Sequence, residues 1–196
     1  MTMTKTLALV AAVLLLAGCA GSPPAGAPAD SADSALLAAY DLAGLDGKEI
    51  VERLEHTPVG ARHQHLRASV RPGHLLLSEA GSDAEIVVDL PDDEFYLSIA
   101  PYRERTHDCY FHSLTTCRGE MAGKQVHVRI TDRASGAVLV DETVRMHDHG
   151  FVGFWLPSNI EAVVEISHDG YAGSQIIATR PDDPTCLSTL QLQPAT

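Results

Sequence analysis

Apolar residues near the start of the chain recur with the spacing of a helix. A stripe at positions i, i+1 and i+4 is formed by Ile50, Val51 and Leu54. Asp46 stands where a helix N-cap is expected, and acidic residues follow it. The pattern predicts two short helices, over residues 35–42 and 48–56.

From about residue 66 the apolar positions alternate with polar ones, which is the period of half-buried strands. Turn residues separate these segments at short and regular spacing. Strands are predicted over residues 66–70, 74–77, 85–90, 94–100, 124–132, 137–145, 150–156, 161–168, 174–179 and 186–192. This rhythm predicts an α+β, mainly β fold, in which short N-terminal helices and strands precede an antiparallel β-sandwich-like domain.

The N-terminus has the features of an export signal. A single Lys5 precedes an apolar run over residues 7–16, and the run is too short to span a bilayer comfortably. The residues that follow, Leu16-Ala17-Gly18-Cys19, resemble a bacterial lipobox. They predict a lipoprotein signal peptide over residues 1–18 and a lipid thioether on Cys19; an ordinary signal cleaved after Ala17 or Ala20 is the alternative.

Composition divides the rest of the chain into three parts. Residues 19–35 are rich in Pro, Gly, Ala and Ser, which predicts a flexible tether. An N-terminal α+β domain is expected over residues 36–92, and a C-terminal β domain over residues 93–196. The formal net charge of −12 argues against nucleic acid as a partner, because phosphate binding needs a basic surface.

The stretch from residue 107 to residue 117 concentrates two thiols and two imidazoles. It contains His107, Cys109, His112 and Cys117, and a further thiol, Cys186, lies far along the chain. If Cys19 carries lipid, three cysteines remain. An odd number of thiols outside the cytoplasm indicates a reactive group, an intermolecular bridge or a metal ligand.

The residues alone leave three interpretations of these thiols open. A disulfide between Cys109 and Cys117 would staple the loop and leave Cys186 as a small buried residue. A site of two or three thiolates would select Cu(I), or Zn(II) with a fourth ligand. A thiol oxidoreductase is the third, although the Cys-x-x-Cys motif is absent. Any disulfide or shared site requires residues 109–117 to double back, and the short hydroxyl side chains at 113–116 can support that turn.

Two further features bear on a metal site. The cations Arg103, Arg105 and Arg118 lie close in sequence and could offset the charge of several thiolates. A loop before a predicted strand holds Met146, His147 and His149, which could add sulfur or nitrogen ligands or could form a solvated turn.

Five segments of the chain closely resemble the CueP family of bacterial periplasmic copper-binding proteins. They are residues 68–72 (ASVRP), 95–102 (FYLSIAPY), 106–120 (THDCYFHSLTTCRGE), 150–157 (GFVGFWLP) and 184–192 (PTCLSTLQL). The resemblance implies a copper-binding C-terminal domain that holds Cu(I) on Cys109, Cys117 and Cys186, with copper sometimes arriving as Cu(II). It also implies sequestration, delivery to a client cuproenzyme and stoichiometric reduction of Cu(II).

The resemblance implies less for the other candidates and leaves several matters open. His107 and His112 match the family pattern and are assigned only a neighbouring or access role, as are Met146, His147 and His149. The family has Asn where this chain has His149, so an extra copper site there is an open question. We expect no enzymatic turnover, an extracytoplasmic protein lipid-anchored to a bacterial membrane, and an oligomeric state that the sequence does not fix, a dimer included.

Overall fold

The computed structural model describes residues 29–195, so the predicted signal peptide and Cys19 lie outside the described residues. Among these residues, two α-helices and a short 3-10 helix precede all of the strands: α1 (Ala29–Ala39), α2 (Gly47–Glu55) and the 3-10 helix Val59–Ala61. The strands are β1 (Leu66–Arg71), β2 (His74–Glu79), β3 (Glu85–Asp89), β4 (Glu94–Ile99), β5 (Gln125–Asp132), β6 (Val138–Arg145), β7 (Val152–Pro157), β8 (Glu161–His168), β9 (Tyr171–Ala178), β10 (Cys186–Leu187) and β11 (Gln193–Pro194).

The first helix differs from its prediction at the N-terminal end. It begins at Ala29, not at residue 35, so the expectation of no regular structure through residue 34 is wrong. The Pro and Gly content that suggested a tether lies mostly before this point, while the helical segment itself is rich in alanine. Alanine has the highest intrinsic helix propensity, which accounts for the earlier start.

The second helix is capped as the sequence predicts. The backbone N–H of Glu49 donates to Asp46 Oδ1 at 2.8 Å, and the N–H of Asp46 donates to Glu49 Oε2 at 2.9 Å. This reciprocal pair is a capping box, which satisfies two backbone donors at the helix start. The predicted apolar stripe is buried, and so is Glu55 at the last position of the helix.

Three sheets build the molecule. The first is antiparallel, in the order β1-β2-β3, and it forms one hydrophobic core together with α2. The second has the order β10-β4-β7, and the third has the order β11-β9-β8-β5-β6. The second and third sheets pack face to face around a larger core, so the predicted mainly β architecture with a C-terminal sandwich is confirmed.

Strand β4 is buried on both faces because it lies between the two cores. Phe95, Leu97 and Ile99 pack in the sandwich core, whereas Tyr96 packs in the core beneath α2. Ser98, on the same face as Tyr96, is fully buried. The N-terminal and C-terminal parts therefore share β4, and a division at residue 92 into independent domains stays a prediction. None of the helices among residues 29–195 has the length and apolar character needed to cross a bilayer.

Candidate metal centre

The thiol-rich loop leaves the end of β4 and folds back on itself. A turn over residues 113–116 reverses it: the Ser113 hydroxyl accepts the N–H of Thr116 at 3.2 Å and hydrogen-bonds the Thr116 hydroxyl at 2.7 Å. The N–H of Cys117 donates to Ser113 O at 3.1 Å. The short hydroxyl side chains thus support the reversal that the sequence predicts, and they bring Cys109 Sγ to 3.4 Å from Cys117 Sγ.

Cys186 reaches the same place from the far end of the chain. It begins β10, which pairs in parallel with β4, and Cys186 lies opposite Ser98 in this register. Its Sγ lies within 4.8 Å of Cys109 Sγ. With Phe151 and Ala100, the three cysteines form a small buried cluster, which we call the sulfur cluster.

All three thiols are free, and their exposure differs. Cys186 and Cys117 are buried, at 4% and 9% exposure, while Cys109 is partly accessible. The sulfur separation of 3.4 Å between Cys109 and Cys117 is well beyond the ~2.05 Å of a disulfide bond. The cluster is therefore a set of close, unlinked soft donors.

His112 lies fully buried beside the sulfur cluster. One of its ring nitrogens is within 4.8 Å of the sulfurs of Cys109 and Cys186. Its Nε2 is 2.9 Å from Glu55 Oε2, while its Nδ1 has no hydrogen-bond partner among the described residues. The ring is close enough to the thiols for interaction with Cys109 and Cys117 to contribute to the raised pKa of His112.

Glu55 is the residue that orients His112. Its carboxylate is 1% exposed and accepts a second hydrogen bond from Ser98 Oγ at 2.9 Å. Burial acts to raise the pKa of Glu55, but the charge and hydrogen bond of His112 outweigh it, and the pKa falls to about 2. Burial acts to lower the pKa of His112, and the Glu55 carboxylate outweighs it, so this pKa lies well above its ordinary value. In the metal-free protein the two form a buried ion pair.

The thiols differ strongly in acidity. Hydrogen bonding by the Cys109 and Cys186 thiols lowers the pKa of Cys117 against the effect of burial, and His112 adds to the lowering. The neighbouring Cys109 and Cys117 sulfurs, together with burial, raise the pKa of Cys186. Cys117 is thus more acidic than Cys186, and its thiolate disfavours a second charge on Cys186.

His107 stands at the solvent side of the cluster. A ring nitrogen lies within 4.8 Å of the sulfurs of Cys109 and Cys117, and the residue is exposed. A cavity of about 430 Å³ opens on another side and is lined by Cys109, Cys186 and the acids Asp108 and Asp183. A cation can therefore approach the sulfurs past His107 or past two carboxylates.

The cations near the sulfur cluster are not only those expected from sequence. Arg62 Nη1 donates to Cys117 O at 2.9 Å, which places a guanidinium beside this cysteine. Arg103 lies over the ring of Tyr171, at 3.6 Å from the centroid, and the backbone N–H groups of residues 103–105 donate to Glu120 Oε2. The role predicted for Arg103, Arg105 and Arg118 in balancing charge stays a prediction.

Sequence reasoning missed Glu55 and Arg62. Glu55 follows Val51 by four positions, so it lies on the apolar face of α2 where a carboxylate is unexpected. A carboxylate on the apolar face of a helix was the signal in the sequence that Glu55 has a buried partner. Nothing in the local sequence of Arg62 points to a residue 55 positions away.

The remaining candidates lie away from the sulfurs. Met146 is 1% exposed and packs in the sandwich core, which is the position of a structural residue. His149 is also buried, and its Nε2 lies 2.8 Å from the backbone oxygen of Glu55. His147 stacks on His149 at a centroid distance of 5.2 Å. The structure brings together Cys109, Cys117, Cys186, His107 and His112, and it leaves these three residues outside that group.

Comparisons with known proteins agree with this geometry. The model of the family described as periplasmic copper-binding protein CueP matches residues 49–191. The chain is also similar to the crystal structure of S.CueP, with 40% sequence identity and a TM-score of 0.76, over 82% of this chain and 97% of that one. No match was found among the curated proteins.

Proposed function

This chain belongs to the CueP family of periplasmic copper-binding proteins, and from that premise we propose that it holds Cu(I) on the sulfurs of Cys109, Cys117 and Cys186. The observation that carries the proposal is the convergence of three unlinked thiols in one buried cluster. Thiolates are soft ligands, and a site of two or three of them favours Cu(I) over harder divalent ions.

Cations beside the sulfur cluster offset part of the negative charge that a thiolate site would carry. Three thiolates and one Cu(I) sum to −2, which is costly in a buried site unless neighbouring cations offset it. The Arg62 guanidinium at Cys117 O and the His112 ring beside the sulfurs supply positive charge there. Metal binding requires deprotonated thiols, and the lowered pKa of Cys117 provides the first of them.

His112 fits a supporting role in this site. Glu55 and the ring Nε2 are hydrogen-bonded, so only the ring Nδ1 remains for the sulfur side. The Glu55 carboxylate fixes the ring orientation and keeps His112 protonated beside the sulfurs, where its charge offsets that of the thiolates. We assign Glu55 as a positioning residue that acts on the metal site through His112.

Stoichiometric reduction of Cu(II) is the second part of the proposal. Two Cys thiols and two Cu(II) ions would yield one disulfide, two Cu(I) ions and two protons, with one electron passing to each copper. Cys109 and Cys117, 3.4 Å apart, are the pair that could close that disulfide. Each turnover would consume the pair, so we expect a single reduction event per protein rather than enzymatic turnover.

Sequestration and delivery follow from the same site. A half-exposed Cys109 beside a cavity allows a client cuproprotein to approach one ligand while the other two stay buried. We further propose that a lipid on Cys19 anchors the protein to a bacterial membrane, so that the length of chain before α1 limits its reach.

The proposal is tested by titrating mature protein with Cu(I) against a chromogenic Cu(I) chelator. We expect one Cu(I) per chain and weaker binding in each of Cys109→Ser, Cys117→Ser and Cys186→Ser, with His127→Ala as an exposed control. Unchanged affinity in all three serine variants would reject the thiolate site.

A dithiol redox protein is the second candidate, and the close Cys109–Cys117 pair with an acidic Cys117 is the observation that favours it. It predicts reduction of insulin or client disulfides without metal, with loss in Cys117→Ser. Metal-free protein that shows no such reduction would leave copper binding as the function.

A further inference from the structure

We propose that His56, His147 and His149 form a second metal site, specific for a divalent cation with a preference for imidazole nitrogen, Cu(II) above all. The site, which we call the histidine cluster, uses no sulfur and does not depend on the function proposed for the cysteines. It contacts the backbone oxygen of Glu55, whereas His112 beside the sulfur cluster contacts the carboxylate of the same residue.

The three rings contact one another in a row that runs from solvent into the protein. His147 contacts His56 edge to face at a centroid distance of 4.7 Å, and it stacks on His149 at 5.2 Å. His56 is exposed, His147 is half-buried and His149 is only 1% exposed. Two elements supply them: His56 caps the C-terminus of α2, and the other two lie in the loop before β7.

Backbone hydrogen bonds fix the proton on one ring nitrogen of His149 and of His56. The second nitrogen of each ring, which we call the bare nitrogen, then carries no proton. His149 Nε2 lies 2.8 Å from Glu55 O, and His56 Nδ1 lies 2.7 Å from Glu52 O. A carbonyl oxygen can only accept, so these nitrogens carry the protons, and His149 Nδ1 and His56 Nε2 keep their lone pairs. A ring N–H on a backbone carbonyl is the arrangement that metal-binding histidines commonly adopt.

The bare nitrogen of His149 is the observation that points to a ligand. Its Nδ1 is buried and has no hydrogen-bond partner among the described residues. Most buried polar atoms in native proteins are paired, so a lone pair left open in this way indicates a missing partner. The neighbouring His147 ring lies over the same histidine and offers the next donor.

The surrounding charges favour a cation. A cavity of about 330 Å³ beside His56 and His147 is also lined by Glu52, Glu55 and Glu142. Arg62 and Arg145 lie near the histidine cluster as well and oppose this attraction. Burial lowers the pKa of His147 and of His149, so both rings are neutral near pH 7, which is the form that binds metal.

The histidine cluster is only partly assembled without metal. Among the described residues, the groups whose donor atoms all lie within 4.8 Å of one another contain cysteine, and these three histidines are not one of them. Closure of the site would require the exposed His56 and the half-buried His147 to turn towards the buried His149, while Asp148 Oδ2 holds the loop by accepting the N–H of Val59 at 2.9 Å. Imidazole donors suit copper, zinc and nickel, and the affinity order of divalent ions places Cu(II) highest.

The test is a titration of the variant that carries serine at positions 109, 117 and 186 with Cu(II), followed by electron paramagnetic resonance. We expect one Cu(II) per chain with hyperfine splitting from imidazole nitrogen, and at least a tenfold loss of affinity in His147→Ala and in His56→Ala. Both residues are accessible, so these variants should fold. If the serine variant does not fold, wild-type protein loaded with Cu(I), which gives no resonance signal, takes its place.

His63→Ala and His65→Ala serve as matched controls, because they remove a nearby pair of histidines outside the histidine cluster. Binding that is lost in these controls, or retained in both His147→Ala and His56→Ala, would overturn the proposal. Absence of stoichiometric Cu(II) binding would overturn it too. Since Cu(I) binding to the sulfurs is measured separately, failure here would leave the proposed function untouched.

Discussion

Glu55 contacts two clusters of potential metal ligands that differ in almost every physical property. Its carboxylate holds His112 against the sulfur cluster, while its backbone oxygen holds His149 in the histidine cluster. The sulfur cluster is soft, buried and assembled, with two sulfurs 3.4 Å apart. The histidine cluster offers nitrogen donors, and its members range from the exposed His56 to the buried His149. Its donor atoms are not yet within 4.8 Å of one another.

The difference shows how two donor sets in one small protein suit different metal ions. Under the two proposals, the soft sulfurs would select Cu(I), and the imidazole nitrogens would accept Cu(II). Burial strengthens electrostatic interactions at the sulfur cluster and limits its access, whereas the exposed histidines remain open to arriving ions. Because the sulfur cluster depends on the side chain of Glu55 and the histidine cluster on its backbone oxygen, a substitution of Glu55 should affect copper binding at the two clusters to different extents.

The largest effect should come from Cys117→Ser. It removes a proposed copper ligand whose pKa is lowered, so Cu(I) affinity should fall by more than the ~100-fold that loss of a ligand's hydrogen-bond partner can cost. Cu(II) affinity of the histidine cluster should not change. Competition with a Cu(I) chelator measures the first and calorimetry the second; parallel losses in both would mean that the two clusters are one site.

The pH dependence of stability should be the next largest effect. The folded-state pKa of Glu55 is lowered to about 2 from an ordinary 4.5, so its stabilisation is present above pH 4.5 and is lost as the pH falls towards 2. The stabilisation is on the order of 3 kcal/mol. The raised pKa of His112 contributes stability below its ordinary pKa, which is lost only as the pH rises through the raised value.

Urea unfolding of metal-free protein between pH 2 and pH 6 measures this contribution. In Glu55→Gln the free energy of unfolding should depend less steeply on pH between 2 and 4.5, because glutamine does not titrate. An identical pH profile for wild type and variant would contradict the assignment of the ion pair.

Glu55→Gln should also weaken Cu(I) binding by about 10–100-fold, since it removes the charged partner of His112. It should weaken Cu(II) binding much less, because His149 contacts the backbone of residue 55 and the lost carboxylate contributes only its charge to the histidine cluster. Glu52→Gln, one turn earlier on the exposed side of α2, is the control for general charge. Equal effects of the two substitutions would show that Glu55 acts only through its charge at a distance.

The smallest effect should be that of Met146→Leu. The side chain is buried in the sandwich core, and a volume-conserving swap of this kind costs less than ~1.5 kcal/mol. Neither Cu(I) nor Cu(II) affinity should change, as chelator competition and calorimetry would show. A loss of copper affinity with an intact melting temperature would restore Met146 as a ligand.

Local signals made much of the fold predictable. The Asp46 cap, the apolar stripe of α2 and the alternation of the strands were visible in the sequence, and the reversal at residues 113–116 followed from its hydroxyl side chains. These features depend on neighbours within a few positions. The start of α1 was missed because the composition of the whole leader outweighed the alanines of its last part.

The site was less predictable, because its parts meet through long-range pairing. Family resemblance joined Cys186 to the loop cysteines, and the parallel pairing of β10 with β4 is what places it there. Spacing could not show that pairing. Glu55 and His56 close α2 yet contact residues more than 50 positions away, so no local pattern could assign them to the clusters.

X-ray absorption at the copper edge of the Cu(I)-loaded protein tests the central claim most directly. A site formed by Cys109, Cys117 and Cys186 should give a first shell of three sulfur atoms, reduced to two in Cys186→Ser. A first shell dominated by nitrogen or oxygen, or a sulfur count that Cys186→Ser does not lower, would contradict it.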